Sequence, residues 1–155
     1  MLSYIHIEDP VKRVLLFFAV LFSVSAFAQF VATQPALIQP QELAAILNSK
    51  QPKPLILNVG PYMLYAQAHI PGAEYIGEGA DPKGREALRN RVKNVSKKQF
   101  IVLYCGCCPW NHCPNVHPAY KELFDLGFRN VKVLYIADNL GADWVYRGYP
   151  TVRGR

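Results

Sequence analysis

All four cysteines of this 155-residue chain lie in one nine-residue segment, Cys105-Gly-Cys-Cys-Pro-Trp-Asn-His-Cys113. The segment follows an apolar run, residues 100–104, which predicts a buried strand. A cysteine between a strand and a helix lies where backbone N–H groups and the helix dipole stabilise a thiolate. The pattern therefore predicts reactive sulfur chemistry, with Cys105 as the catalytic nucleophile because it directly follows the strand.

The residues after Cys105 are expected to bind the thiolate and its substrate. We predict that the backbone N–H groups of Gly106, Cys107 and Cys108 hold an anion. His112 would add a positive charge when protonated, although an exposed loop position is an equally good interpretation of this residue. A second thiol close to a persulfide or a sulfenic acid resolves it as a disulfide. Cys107, Cys108 and Cys113 are therefore the candidate resolving thiols.

Three other uses of the cysteines remain open. Cys105 and Cys108 have the Cys-x-x-Cys spacing of dithiol redox proteins, so a redox or sulfur-binding module without turnover is the alternative function. Together with His112 and His117, the cysteines include enough soft ligands for zinc or copper. A zinc site usually combines two pairs of ligands, and no second pair lies elsewhere in the chain. We therefore predict no metal and no cofactor. Structural disulfides would close very short loops and would stabilise little.

The N-terminus has the order of a secretory leader. Lys12 and Arg13 precede an almost unbroken apolar run over residues 14–24, and Ser25-Ala-Phe-Ala28 supplies small residues. This order predicts a signal peptide over residues 1–28, cleaved after Ala28, and a periplasmic or secreted protein. The run is short against the roughly 20 residues of a membrane span. An uncleaved anchor is the alternative, and contact with the membrane is expected only through it.

The charge of the chain limits the classes of partner that we expect. The formal net charge is +6, and many of the basic residues lie between residues 83 and 98, where we predict the solvated face of a helix. No interleaving of basic and aromatic residues supports nucleic-acid binding, so none is expected. The expected partner is a small sulfur-containing anion, such as thiosulfate, or a thiol acceptor.

The remaining sequence alternates strands with helices. Helices are predicted over residues 40–48, 82–95 and 116–126, and strands over residues 55–59, 100–104 and 131–136. Short helical segments are expected at residues 62–68 and 139–146, a brief extended piece is expected at residues 74–76, and residues 30–39 are assigned to a lead-in without a strand. This alternation predicts an α/β fold with a central, mostly parallel sheet flanked by helices in three layers.

Several segments resemble the rhodanese-like domain family. His69-Ile-Pro-Gly-Ala73 is similar to a turn of that family, the strand that leads into Cys105 resembles its catalytic strand, and Gly148-Tyr-Pro150 resembles its usual ending. Residues 55–59 and 123–133 match two further segments in the same order. The resemblance covers about residues 36–150, and it implies one rhodanese-like domain whose cysteine carries sulfane sulfur as a persulfide.

The chain also departs from the common pattern of that family. Asn58-Val59-Gly60 replaces the frequent Asp-Val-Arg, which removes an internal ion pair, and the loop after Cys105 is longer than six residues and contains no arginine. In these features the chain resembles exported rhodanese-like proteins with a Cys-Gly-Cys-Cys-Pro loop. The resemblance therefore implies a single-domain, exported sulfurtransferase or sulfur carrier.

Overall fold

The computed structural model describes residues 34–154, so the expected leader and its cleavage position lie outside the described residues. Its five strands form a single sheet with the order β1-β5-β4-β2-β3, and every neighbouring pair is parallel. The strands are β1 (Ala36–Ile38), β2 (Leu55–Asn58), β3 (Ala73–Tyr75), β4 (Ile101–Tyr104) and β5 (Val131–Leu134). Parallel strands buried on both faces require continuous apolar runs, and this requirement explains the composition of β2, β4 and β5.

Four α-helices and two shorter helical segments connect and cover the strands. They are α1 (Pro40–Asn48), α2 (Tyr62–Gln67), α3 (Pro82–Val92), α4 (Val116–Asp125), a 3₁₀ helix (Trp110–His112) and a π-helical turn (Gly141–Val145). Proline at the first turn favours the starts of α1 and α3, and the Asp81 side chain accepts a hydrogen bond from the Lys83 N–H at the start of α3. Among the described residues, no helix is both long enough and apolar enough to span a bilayer.

The sheet separates two apolar layers. Ile101 and Leu103 of β4 pack into one buried cluster with α3 and α4, while Val102 and Tyr104 pack into another with α1, α2 and the π-helical turn. Alternate residues of a strand point to opposite faces of a sheet, so this division follows from the strand geometry. The predicted three-layer α/β architecture is therefore confirmed.

One strand was not predicted. Ala36–Ile38 forms β1 at the edge of the sheet, pairing with β5, although the sequence assigned residues 30–39 to a lead-in without a strand. Three residues flanked by prolines are too short to show strand periodicity, and their pairing depends on β5, which lies far along the sequence.

The register of the sheet determines which loops meet. Asn58 at the end of β2 lies beside Tyr104 at the end of β4. Strand ends in a parallel sheet share one edge, so the residues that follow β2 and those that follow β4 are neighbours. Cys105 is the first residue after β4 and is therefore positioned next to the segment 58–60.

Candidate functional site

Cys105 lies at the carboxyl edge of the sheet with little of its surface exposed. The residue retains 3% of its accessible surface and belongs to the same buried cluster as Leu103. Its carbonyl oxygen accepts a hydrogen bond from the Asn58 side-chain amide at 3.3 Å. The side-chain oxygen Oδ1 of Asn58 accepts a hydrogen bond from the Gly60 N–H at 3.2 Å. Asn58 therefore ties the end of β2 to the cysteine after β4.

Gly60 leaves the space that Cys105 occupies. A Cβ atom at position 60 would lie 2.5 Å from the carbonyl oxygen of Cys105 and 2.8 Å from its sulfur. Both distances are shorter than real Cβ contacts, so any larger residue at position 60 would displace the cysteine. The glycine that replaces the arginine of the frequent Asp-Val-Arg pattern is thus a steric requirement of this site.

The four thiols form a connected group of sulfur atoms. The Sγ atoms of Cys105 and Cys107 are 3.2 Å apart, and those of Cys107 and Cys108 are 3.0 Å apart. The Sγ atoms of Cys105, Cys107 and Cys113 all lie within 4.8 Å of one another, close enough to share one soft ion. Cys108, the partner suggested by the Cys-x-x-Cys spacing, makes its sulfur contact with Cys107.

The surroundings of Cys105 favour its ionised form. Hydrogen bonding from the Cys113 thiol, together with smaller contributions from Cys107 and Asn115, lowers the pKa of Cys105 from 9.0 to about 6, although burial opposes this change. The pKa of Cys113 is raised in turn, because its proton is held in the hydrogen bond to Cys105. Hydrogen bonds to the charged form favour that form, so a Cys105 thiolate predominates at neutral pH.

Asn115 is a site residue that the sequence reasoning missed. Its side-chain nitrogen donates to the Cys105 sulfur at 3.5 Å, and its side-chain oxygen Oδ1 accepts the Ala80 N–H at 3.0 Å. Asn115 is 3% exposed and precedes α4, yet its side chain does not cap that helix. An asparagine in a capping position that bonds the nucleophile instead is a functional signal only once the fold is known.

The expected cradle of loop amides is present in part. The Cys107 N–H donates to the Cys105 sulfur and contributes to its lowered pKa. Gly106 has φ 86°, a left-handed conformation that glycine adopts readily, and its carbonyl accepts the Leu140 N–H at 2.9 Å. The N–H groups of Asn115 and Val116 donate to Cys113, so the amides at the start of α4 act on that sulfur.

A cavity of about 330 Å³ adjoins the thiol group. Cys105, Gly106 and Cys107 line one part of it, and residues of α2 and of the π-helical turn line the rest. The lining residues outside the cysteine loop are Asn58, Leu64, Tyr65, Gln67, Ala68, Asn139, Leu140, Gly141, Val145 and Tyr146. This volume is in the range of small-molecule sites.

The other predicted substrate-binding residues lie apart from this cavity. His112 is exposed on the 3₁₀ helix, and neither it nor Cys108 lines the cavity. Cys113 is 2% exposed and contacts Cys105 on the side of α4. The structure thus brings Cys105, Gly106 and Cys107 together at the cavity and leaves His112 at the surface.

A family model for the rhodanese-like domain matches residues 39–135, more than half of the chain. The chain belongs to the rhodanese-like domain family. The resemblance inferred from the sequence is therefore confirmed, and this family, together with the cysteine cluster, supports a domain related to sulfur transfer. No curated protein sequence matches the chain.

Solved rhodanese-like structures share the fold. The rhodanese-like domain of the Alr3790 protein from Anabaena sp. is 24% identical, with a TM-score of 0.55 over 77% of this chain and 80% of that one. The BH2092 protein from Bacillus halodurans is 21% identical, with a TM-score of 0.60 over 84% of this chain and 86% of that one. At this level of identity the likeness extends to the fold alone.

Proposed function

We propose that this rhodanese-like domain is a sulfurtransferase or sulfur carrier in which Cys105 holds sulfane sulfur as a persulfide. The observation that carries the proposal is the Cys105 sulfur at the end of β4, hydrogen-bonded by Cys113, Cys107 and Asn115 so that its pKa falls to about 6. A thiolate is the nucleophile in sulfur exchange, and this one is available at neutral pH.

The proposed reaction has two displacement steps. With thiosulfate as donor, the Cys105 thiolate attacks the outer sulfur, the sulfur–sulfur bond of the donor breaks, and sulfite leaves with its electron pair. The product is the Cys105 persulfide anion. An acceptor thiolate or cyanide then attacks the terminal sulfur and regenerates the Cys105 thiolate, so no external oxidant or reductant is required.

The cavity supports this role because it gives a small donor access to the cysteine loop. Cys105 is almost fully buried, and the cavity that it lines with Cys107 is the route by which we propose that the donor arrives. We further propose that the domain acts in the periplasm or after secretion, following removal of the leader over residues 1–28. That part of the proposal rests on the sequence pattern.

A dithiol redox function is the second candidate, favoured by the 3.2 Å between the Cys105 and Cys107 sulfurs. A disulfide map of the protein isolated from its natural compartment separates the two functions. Free Cys105 that forms a disulfide only after loading with sulfane sulfur supports sulfur transfer, whereas a Cys105 disulfide that forms without any sulfane-sulfur donor supports the redox function.

Sulfur transfer is tested by thiocyanate formation from a sulfane-sulfur donor and cyanide. The wild-type protein is assayed beside the four single cysteine-to-serine variants, with thiosulfate and polysulfide as donors. We expect Cys105→Ser to abolish thiocyanate formation above the uncatalysed rate. Full activity in that variant would move the nucleophile to another cysteine and contradict the proposal.

A further inference from the structure

Cys107 differs from the other candidate resolving thiols in combining contact with Cys105 and access from the cavity. Its Sγ lies 3.2 Å from the Cys105 Sγ, whereas a covalent disulfide requires about 2.05 Å, so a small movement joins the two atoms. Cys107 is half-buried and lines the cavity, while Cys105 and Cys113 are 3% and 2% exposed. Cys107 is therefore the more exposed of the two thiols that line the cavity.

We propose that Cys107 displaces the terminal sulfur of the Cys105 persulfide as hydrosulfide, which is the discharge step, so that the domain releases sulfide. An external dithiol then reduces the resulting Cys105–Cys107 disulfide, which is the reset step. This inference rests on the proposed function, because it begins from the Cys105 persulfide. It adds a second product and a second reactant to that function, and it assigns one of three candidate thiols to the discharge step.

The step balances in atoms, charge and electrons. Burial and hydrogen bonding with the sulfurs of Cys108 and Cys105 raise the pKa of Cys107, so it starts as a thiol. Its proton passes to the terminal sulfur of the persulfide as its own sulfur attacks the Sγ of Cys105, the inner sulfur, and a Cys105–Cys107 disulfide bond forms. The bond between Sγ and the terminal sulfur breaks, and that sulfur leaves with the electron pair and the Cys107 proton as hydrosulfide. The terminal sulfur is reduced, and the two cysteines are oxidised to the disulfide.

The reset step requires a reductant, which is a dithiol of a small molecule or of a partner protein. One of its thiolates attacks the Cys107 sulfur from the cavity and forms a mixed disulfide. Its second thiol then closes the dithiol into a disulfide and releases both cysteines as thiols. Attack at Cys107 is favoured over attack at Cys105 because Cys107 is the more exposed of the two.

The local backbone suits a bond between residues two positions apart. Gly106 lies between the two cysteines with φ 86°, and this left-handed turn accompanies the contact between their sulfurs. A residue with a Cβ atom at position 106 would adopt that conformation at a cost and would approach Leu140 to 3.0 Å. Glycine here therefore supports the approach of Cys107 to Cys105.

The geometry argues against the other two thiols. Cys113 also contacts Cys105, but it is 2% exposed and does not line the cavity, so a Cys105–Cys113 disulfide would present only the 3% exposed Cys105 sulfur to an external dithiol. Cys113 instead donates the hydrogen bond that lowers the pKa of Cys105. The sulfur contact of Cys108 is to Cys107, at 3.0 Å, rather than to the nucleophile.

The test follows hydrosulfide after a single loading with sulfane sulfur. The purified protein is reduced, treated with polysulfide, freed of the donor and incubated without a reductant, and the released hydrosulfide is trapped and quantified. Acid-quenched samples are mapped by tandem mass spectrometry for the persulfide and for disulfides. Wild type is compared with Cys107→Ser and, as a matched loss of a neighbouring thiol, with Cys108→Ser.

We expect wild type to release one hydrosulfide for each Cys105 persulfide lost and to gain a Cys105–Cys107 disulfide, which a dithiol then reduces. Cys108→Ser should form the same disulfide. Cys107→Ser should load Cys105 and hold the persulfide longer, with release slowed by about tenfold or more.

Three results would overturn the inference. Discharge of loaded Cys107→Ser at the wild-type rate, or a Cys105–Cys113 disulfide in acid-quenched wild type, would overturn it while leaving the proposed function intact. Absence of any Cys105 persulfide in both wild type and Cys107→Ser would overturn the proposed function and this inference with it. The wild-type disulfide map remains decisive even if the Cys107→Ser variant folds poorly.

Discussion

Replacing Cys113 with alanine should raise the pKa of Cys105, because the Cys113 thiol is the largest cause of its low value. Four hydrogen-bonding contributions together lower that pKa from 9.0 to about 6 while burial opposes them. Loss of the largest of the four should cost the thiolate about 1 kcal/mol, the worth of a typical hydrogen bond. At pH 6 the thiolate fraction should then fall from about one half to about one seventh, roughly a threefold loss.

The assay is a pH titration of thiolate absorbance in the ultraviolet, which does not require a reagent to reach the buried sulfur. Subtracting the curve of Cys105→Ser isolates the titration of Cys105. Cys113→Ser is the matched control, since a hydroxyl retains a donor at the same position and should raise the pKa less than alanine does. An unchanged midpoint in Cys113→Ala, or an equal rise in both variants, would refute the role assigned to the Cys113 thiol.

Three further predictions concern the neighbours and the stability of the site. Gly60→Ala should lower the free energy of unfolding by about 1–3 kcal/mol and impair persulfide loading, because its Cβ would clash with Cys105; wild-type stability in denaturant titrations would contradict this. Asn58→Ala should lower the free energy of unfolding by about 1–3 kcal/mol, because it leaves the Cys105 carbonyl and the Gly60 N–H without their hydrogen-bond partner. Asn58→Asp is the control, since its side chain retains the acceptor for the Gly60 N–H. Because the pKa of Cys105 is lowered in the folded state, the ionised group stabilises the fold fully above its unfolded pKa, and this contribution is lost as the pH falls through about 6. The difference in unfolding free energy between wild type and Cys105→Ser should therefore grow from pH 6 to pH 9, by at most about 4 kcal/mol, and a constant difference would contradict the lowered pKa.

The position of Cys105, the proposed nucleophile, followed from sequence because it depends on local order. Cys105 directly follows an apolar strand and precedes a helix. This order places it at the carboxyl edge of a parallel sheet, whatever the conformation of the loop. The same rule could have identified Gly60, since β2 and β4 were both predicted and their following residues share that edge. The rule gives proximity, however, and not the separation of 2.8 Å that a Cβ atom at position 60 would have from the Cys105 sulfur.

The partners of the thiolate did not follow from sequence. The 3₁₀ helix Trp110–His112 directs the chain so that Cys113 returns to Cys105 and His112 lies at the surface. Spacing along the chain favoured Cys108 as a partner, but contacts across a loop depend on its turns, and the left-handed Gly106 brings Cys107 closer. Asn115 was missed because an asparagine before a helix ordinarily indicates a cap.

If Cys105 carries the sulfane sulfur, the added sulfur atom must be found on that residue, and its location can be measured directly. Wild type and Cys105→Ser are treated with polysulfide, trapped with an alkylating reagent and analysed by tandem mass spectrometry. We expect one added sulfur on Cys105 in wild type at the earliest times and none at that position or the other three cysteines in Cys105→Ser. A full persulfide signal in the variant, or a first persulfide on Cys107, Cys108 or Cys113 in wild type, would contradict the role proposed for Cys105.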